Sequence, residues 1–363
     1  MLLLYFAIVA VVLIISMPLA SSKLYYGHNS EGGYDAMARM NPGQARYAKT
    51  VAWMIFILLV LLCVFRSDTT PDYNMYKSLY DMGGGEKIRR DMEQSFTFFV
   101  RLSPAFLILL LWYAVIGVGG KIIAIFRYSP NIWLSLLVYC SFSLTLHDMG
   151  QIRAGAAISL VFLAMPYIKS REWIKYYLLI VVAVFLHNST VVFLAAYFFP
   201  HKSLNKWVWL CVLGVAFVFN LLNMNFGYIS KFIPIGIVEN YVESYTGRSH
   251  MMEAGFRVGY MIQLFFVVLM ICNIKKLQKE YPYAVIVTFM CICSSLCYLL
   301  LSDIITLQVR MLELFGVFSI FAYAMLPMIS KRHYNILTLL PILYSIISIM
   351  RGLSWLTGDV WWK

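Results

Sequence analysis

The chain is dominated by long runs of apolar residues separated by short polar stretches, such as AWMIFILLVLLCVF, which ends at Phe65. A run of about 17–25 apolar residues is long enough to cross the ~30 Å hydrocarbon core of a bilayer as a helix. The runs lack the alternation of polar and apolar residues that membrane β-strands show. We therefore predict an all-α integral membrane protein, with residues 1–363 forming a single polytopic domain of about twelve transmembrane helices.

Composition excludes several classes of function. Charged residues make up 13% of the chain, where soluble domains have about 25%, so the net charge of +12 does not indicate a nucleic-acid-binding protein. In a membrane protein, Lys and Arg collect in loops that face the cytoplasm. Neither a Walker loop nor a G-x-G-x-x-G motif is present, and all seven cysteines lie in apolar runs. We therefore expect no nucleic-acid partner, no cofactor and no metal site.

The basic stretches predict the topology. The stretches rich in Lys and Arg include Lys121 with Arg127, and Lys169 and Arg171 with Lys175. Placing these stretches on the cytoplasmic side puts both termini outside, together with two long loops, 66–102 and 224–255. The first loop should contain an amphipathic helix. It would start at Thr70-Pro71-Asp72, present Tyr73, Tyr76 and Tyr80 on one face, and end at the glycine run 83–85.

A polar break interrupts the apolar stretch 173–200 at His187-Asn188-Ser189-Thr190. One continuous helix would put its two flanking basic clusters on opposite sides of the membrane, whereas a hairpin that turns at His187 puts both inside. Each arm would be about 13 residues, or ~20 Å, which is too short to span the bilayer upright. We therefore predict that His187 lies below the outer surface and lines a recess that opens to the outside.

Several polar residues converge on the outer side in this topology. Charged groups within spanning segments are costly to insert and usually mark function. The residues concerned are Arg66, Asp68, Asp72, Asp148, Gln151, Arg153, His187, Asp303 and Arg310. Structural alternatives remain for some of them. Arg153 and Arg310 can reach the lipid headgroups, and Arg310 can pair with Glu313. The tyrosines can anchor the helix at the interface instead of stacking on sugars.

The residue types favour chemistry on a phosphorylated lipid. The planar fork of arginine fits phosphate oxygens, and histidine can accept a proton from a hydroxyl near neutral pH. Sugar transfer from a lipid diphosphate needs both properties: charge stabilisation on the leaving group and a base for the acceptor. His187 is the leading candidate for the base, with Asp68, Asp72 and Asp148 as the alternatives.

Three motifs resemble those of EpsG-like and Wzy-type polysaccharide polymerases. FRSDTTPDYNMYKSLYD is similar to the segment that follows the second helix of these proteins, although Ser67 stands where they often have glycine. HDMGQIRAGAAISLVFLA resembles their Q-x-R helix, and VFLHNSTVVFLAAYF resembles their H-x-S hairpin. The resemblance extends over roughly residues 45–330 and implies a GT-C-like polymerase architecture.

The resemblance also implies a reaction and a place for it. Such polymerases join oligosaccharide units linked to undecaprenyl diphosphate, which serve as donor and acceptor, on the outer face of the bacterial cytoplasmic membrane. A flippase and a chain-length regulator are possible partners. The implied diphosphate-binding residues are Arg66, Arg153 and Arg310, and the implied sugar-binding residues are Tyr73, Tyr76, Gln151 and Asp303.

The main alternative function is a flippase that transports lipid-linked oligosaccharides. A transporter should place charges along a path through the membrane and often has an internal repeat. The inner halves of the segments are largely apolar, and the two halves of the chain show no clear repeat. Both observations favour an enzyme with its site on one side of the membrane. A membrane acyltransferase with His187 as its base is a weaker alternative.

Overall fold

The computed structural model describes residues 2–20, 35–37, 40–83, 93–222, 253–302 and 305–357, and their regular structure is entirely helical. The first helices are α1 (Leu2–Ser16), α2 (Pro42–Val64), α3 (Tyr73–Asp81), α4 (Gln94–Leu102) and α5 (Phe106–Tyr128). Next come α6 (Ile132–Val138), which continues as a π-helix over Tyr139–Gly150, and then α7 (Ile152–Ser170) and α8 (Trp173–Leu186). The remaining helices are α9 (Phe193–Ala196), α10 (Lys206–Leu221), α11 (Glu253–Cys272), α12 (Ile274–Glu280), α13 (Ala284–Leu300), α14 (Ile305–Gly316), α15 (Ser319–Ala322) and α16 (Tyr334–Thr357).

Five of the described helices are long and apolar enough to cross a membrane, and the number rises to seven if two bent pairs each count as one span. The bent pairs are α11 with α12, at 77°, and α14 with the helical turns that follow it, at 40°. Four further apolar helices are shorter, among them α8. The protein is therefore a multi-pass, all-helical membrane protein, and the count of twelve spans remains a prediction.

Helices α5 and α7 pack closely against each other and run in the same direction. A Cβ added at Gly117 would lie 3.4 Å from the backbone of Gly155 and Ala156, and the hydroxyl of Ser159 donates to the carbonyl of Ile116 at 2.9 Å. Small residues allow this close approach of two backbones. At 1.5 Å per residue, the beginning of α7 lies roughly 10–12 Å along α5 from its first residue. Residues at the start of α7 are thus well below that end of the bundle.

The predicted turn at His187 is confirmed. Helix α8 ends at Leu186, and the chain then returns through a 3₁₀ segment, Asn188–Val192, and α9. The hydroxyl of Tyr176 donates to the carbonyl of Phe193 at 2.5 Å, and that of Tyr197 donates to the carbonyl of Arg171 at 2.9 Å. The two arms therefore run side by side, and the depth of the turn in the membrane remains a prediction.

The described part of the first predicted outer loop, 66–83 and 93–102, contains a second helix besides the predicted one. Helix α3 begins at Tyr73, two residues later than predicted from Pro71, because Asp72 adopts a left-handed backbone conformation (φ 62°) before it. Gly83, also left-handed, follows the end of α3 as predicted. Helix α4 folds back along α5, with the ring of Phe99 5.2 Å from that of Tyr113. Part of the loop thus packs against the bundle. Of the second predicted outer loop, 224–255, nearly all lies outside the described residues.

The structure corrects the prediction for Lys121, which the charge pattern assigned to the cytoplasmic basic stretches. Its side chain is fully buried in α5 and bonds to Asp148, which the same scheme placed near the outer side. A residue in the middle of a helix is not a loop residue, so its charge carries no information about sidedness. Lys121 is a partner for a buried carboxylate.

Candidate active site

Arg153 and His187 meet at a single carboxylate, that of Glu93. Arg153 lies in the first turn of α7, His187 directly follows α8, and Glu93 immediately precedes α4. The guanidinium of Arg153 pairs with Oε2 of Glu93, while Oε1 lies 2.8 Å from Nδ1 of His187. The three side chains are 16%, 19% and 7% exposed, respectively. The cluster is therefore largely shielded from solvent but still reachable.

Aromatic side chains from α3 cover the two arginines. The ring of Tyr76 lies 5.7 Å from the guanidinium carbon of Arg153, and its hydroxyl accepts a long hydrogen bond of 3.5 Å from Nε of that arginine. The ring of Tyr73 lies 5.7 Å from the guanidinium carbon of Arg66. Tyr76 is almost fully buried, so it packs against protein and does not anchor α3 in the interface. These contacts place Arg66 and Arg153 under one helix.

Arg66 is buried with most of its hydrogen-bonding capacity unused. One of its nitrogens, Nη1, donates to the carbonyl oxygen of Asp148 at 3.4 Å, whereas Nε and Nη2 have no partner within the described part of the chain. Nδ1 of His147, one residue before Asp148, is also buried and has no hydrogen-bond partner among the described residues. Buried polar groups are normally hydrogen-bonded. Two free guanidinium nitrogens are suited to an anionic ligand.

The two acidic residues of the opening motif differ in their surroundings. Asp68 is exposed, and its carboxylate accepts a hydrogen bond of 3.2 Å from the hydroxyl of Ser67. Asp72 is also reached by solvent, yet the surrounding protein raises the pKa of its carboxyl above the usual range, against the opposing charges of Arg153 and Arg66. Asp72 is thus within electrostatic range of both arginines.

Asp148 is held in a separate, fully buried network. Its carboxylate accepts from Nζ of Lys121 at 2.7 Å and from the hydroxyl of Tyr139 at 2.8 Å. Nζ of Lys121 also donates to the carbonyl of Gly155 at 2.8 Å. The Asp148 carboxylate thus bonds to Lys121 and Tyr139 and not to Arg153 or His187, although the backbone carbonyl of the same residue contacts Arg66. These contacts favour a positioning role for Asp148 over that of a base.

The other predicted residues lie on the α14 side of the cluster or outside the described residues. Nε2 of Gln151 donates to Oε2 of Glu313 at 3.3 Å. Arg310, three residues earlier on α14, is exposed, and its charge acts on both Glu313 and His187. Asp303 lies outside the described residues. The structure therefore gathers Arg66, Tyr73, Tyr76, Arg153 and His187 directly, with Asp72 and Arg310 at the periphery.

Glu93 is the residue of the cluster that the sequence analysis missed. It stands in the first predicted outer loop, in DMEQSFTFF, where a solvated acid is unremarkable. One signal was available, because Glu93 directly precedes an amphipathic stretch that buries Ser95, Phe96 and Thr97. An acid at the start of a buried helix in a membrane protein needs a cationic partner. The sequence does not show which cation that is.

The sequence model of the EpsG family, a family of Wzy-type polysaccharide polymerase-like proteins, matches residues 49–359. The matched region begins within α2, extends through α16 and includes every residue of the cluster. No curated protein and no solved structure matches the chain.

Proposed function

The chain belongs to the EpsG family, and on this premise we propose that it is a polysaccharide polymerase, a glycosyltransferase of the bacterial cytoplasmic membrane. Its donor and acceptor are oligosaccharide units linked to undecaprenyl diphosphate, and its site faces the exterior. Each cycle moves the growing glycan from its lipid diphosphate onto the terminal sugar of a new unit. A flippase that delivers the units and a regulator of chain length are the protein partners that such a reaction calls for.

One observation carries this proposal: the arginine of the Q-x-R motif and the histidine of the H-x-S motif both contact the carboxylate of Glu93, beneath the tyrosines of α3. Arg153 and His187 are separated by most of α7 and α8, yet both contact Glu93. Arg66, from the opening motif, lies under the same helix, α3. Each of the three motifs that resemble the family thus supplies one residue to a single site: Arg66, Arg153 and His187.

The geometry supports a division of roles. We assign the donor diphosphate to Arg66 and Arg153, with Arg310 at the edge, because guanidinium groups neutralise the charge that develops on a leaving diphosphate. We assign the acceptor hydroxyl to His187 as the base, because Nδ1 is bound to a carboxylate and Nε2 is left to accept a proton. Tyr73, Tyr76, Gln151 and Asp303 are assigned to the sugars. Asp68 and Asp72 remain the alternative bases.

Chemically, an acceptor hydroxyl replaces the diphosphate at the anomeric carbon of the donor glycan. A new carbon–oxygen bond forms, the old one breaks, and its electron pair leaves with the diphosphate. The proton of the hydroxyl passes to Nε2 of His187. The site must therefore stabilise negative charge on one side of the reacting carbon and accept a proton on the other.

The flippase alternative draws support from one feature, the buried charges of Lys121 and Asp148. Charges inside spanning helices often mark a transport path. This pair, however, is only 0% and 1% exposed, and both side chains make two hydrogen bonds within the protein, as expected of a structural contact. A transport path would need charges that water reaches.

The deciding experiment compares the surface glycan and the lipid-linked intermediates of cells that lack the gene with those of wild-type cells. A polymerase predicts single repeat units that reach the outer leaflet but never lengthen. A flippase predicts units trapped on the inner leaflet, and that result would reject the proposed function. The purified protein, supplied with undecaprenyl-diphosphate-linked units, should produce a ladder of lengthened glycans.

A further inference from the structure

The Glu93 carboxylate binds two groups that the proposed function uses for different tasks. Oε2 pairs with Arg153, the proposed ligand of the donor diphosphate, and Oε1 lies 2.8 Å from His187, the proposed base. Glu93 itself is 7% exposed at its side chain, so its negative charge is held almost entirely by these two partners. A single buried anion thus connects the two halves of the site.

A diphosphate that binds Nη1 of Arg153 must compete with Glu93, because Oε2 of Glu93 pairs with that nitrogen. Carboxylate and phosphate oxygens are the same kind of acceptor for a guanidinium group, and both use its hydrogen-bonding edge. Glu93 therefore occupies one nitrogen of the edge with which Arg153 would bind a phosphate group in bidentate fashion. Only Oε2 is involved in this competition, because Oε1 is directed toward His187.

The neighbouring arginine offers further hydrogen-bond donors to an anion. Arg66 has two buried guanidinium nitrogens without a partner among the described residues. The charges of Arg66 and Arg153 both act on Asp72 and on Tyr76. A purely structural ion pair would leave no such excess of donors beside it. A ligand with two phosphate groups has enough oxygens for both arginines.

We propose that Glu93 is a positioning residue that exchanges with the donor diphosphate. In the empty site its carboxylate holds Arg153. When the diphosphate takes Arg153, Glu93 remains on His187 and fixes the tautomer with the proton on Nδ1, so that Nε2 faces the acceptor hydroxyl. The proton of that hydroxyl then moves to Nε2, and the resulting imidazolium lies against the Glu93 carboxylate until the proton passes to the departing diphosphate. This inference rests on the proposed function and adds to it a link between donor binding and the base.

The test uses Glu93→Gln, which keeps the shape of the side chain but removes its charge. The full-length protein is purified in detergent, the affinity for undecaprenyl diphosphate is measured by titration, and glycan extension is measured at saturating donor. We expect the affinity to rise about tenfold, because the competing anion is gone. We expect the rate at saturation to fall roughly 100-fold, because His187 loses the carboxylate that orients it.

The matched control is Glu172→Gln, which removes a carboxylate that also pairs with a cation, Lys175, but does so on the exposed surface before α8. Neither quantity should change in this variant. A merely structural role for Glu93 would lower affinity and rate together. The opposite movement of the two quantities is therefore specific to the exchange.

Equal or weaker binding of undecaprenyl diphosphate by a folded Glu93→Gln variant overturns the proposal. If that variant does not fold, Glu93→Asp decides, since its shorter side chain keeps the charge but reaches one partner only. A Glu93→Asp variant unchanged in both binding and rate would then reject the exchange. If the wild-type protein binds undecaprenyl diphosphate but lengthens no glycan, the proposed function fails, and the binding comparison still decides whether Glu93 competes for Arg153.

Discussion

Replacing Lys121 with Met should destabilise the protein strongly, because it leaves the buried carboxylate of Asp148 without its cation. Nζ and Oδ1 are 2.7 Å apart, and the side chains are 0% and 1% exposed. Even at an effective dielectric constant of about 20, Coulomb's law gives ~6 kcal/mol for two unit charges at this separation. The cost of desolvating both charges offsets much of that gain, so the loss on removing one partner should be about 3–5 kcal/mol.

A double-mutant cycle separates the pair from other effects of the substitution. The variants are Lys121→Met, Asp148→Asn and the combination, each unfolded in mixed detergent micelles and followed by tryptophan fluorescence. In the combined variant no buried charge is left unpaired, so its loss in unfolding free energy should fall short of the sum of the single losses by about 2 kcal/mol or more. Lys175→Met is the control, because Lys175 pairs with Glu172 on the exposed surface, and its unfolding free energy should not change.

Two results would refute this reasoning. A loss below about 1 kcal/mol for Lys121→Met would mean that the charge of Asp148 is solvated or neutralised by other means. Strict additivity in the double variant would mean that the two side chains do not interact in the folded protein. Either result would also remove the argument that Asp148 is held away from the proposed reaction.

Three further predictions concern the site and its scaffold. Arg153→Ala should abolish chain growth at normal protein level, and full-length glycan from this variant would reject the role of Arg153 in diphosphate binding. Arg153→Lys should show little chain growth as well, because a lysine cannot bind phosphate oxygens in bidentate fashion. Gly155→Ala should cost about 1–3 kcal/mol in unfolding free energy, since its Cβ would lie 2.5 Å from the carbonyl oxygen of His147, whereas Gly214→Ala has open space and should be neutral or slightly stabilising. A cysteine at the exposed position Asn188 should react with impermeant thiol reagents from outside the cell, and labelling only from the cytoplasm would overturn the proposed topology.

Patterns along the chain predicted several parts of this protein correctly. Apolar runs predict membrane helices because a spanning segment must satisfy its backbone internally and present apolar side chains. The turn at His187 was predictable from a polar break between two short arms, and the aromatic face of α3 from the spacing of Tyr73, Tyr76 and Tyr80. These features depend on residues that are close together in sequence.

The contacts of the cluster depend on residues that are far apart in sequence. Glu93 meets His187 and Arg153 because α4 folds back along α5, and no local pattern specifies that return. Charge patterning failed at Lys121 for a related reason, since a lysine counted as a cytoplasmic residue is the partner of a buried aspartate.

The sequence by itself determined the class of the protein, the turn at His187 and the motifs that carry its arginines and histidine. The tertiary structure alone decided which charges meet. Pairing between helices depends on how far each helix is shifted along its neighbour and on the rotation of each about its axis. Both follow from close packing, such as the approach of Gly117 to Gly155, and neither is written in the periodicity of a single helix.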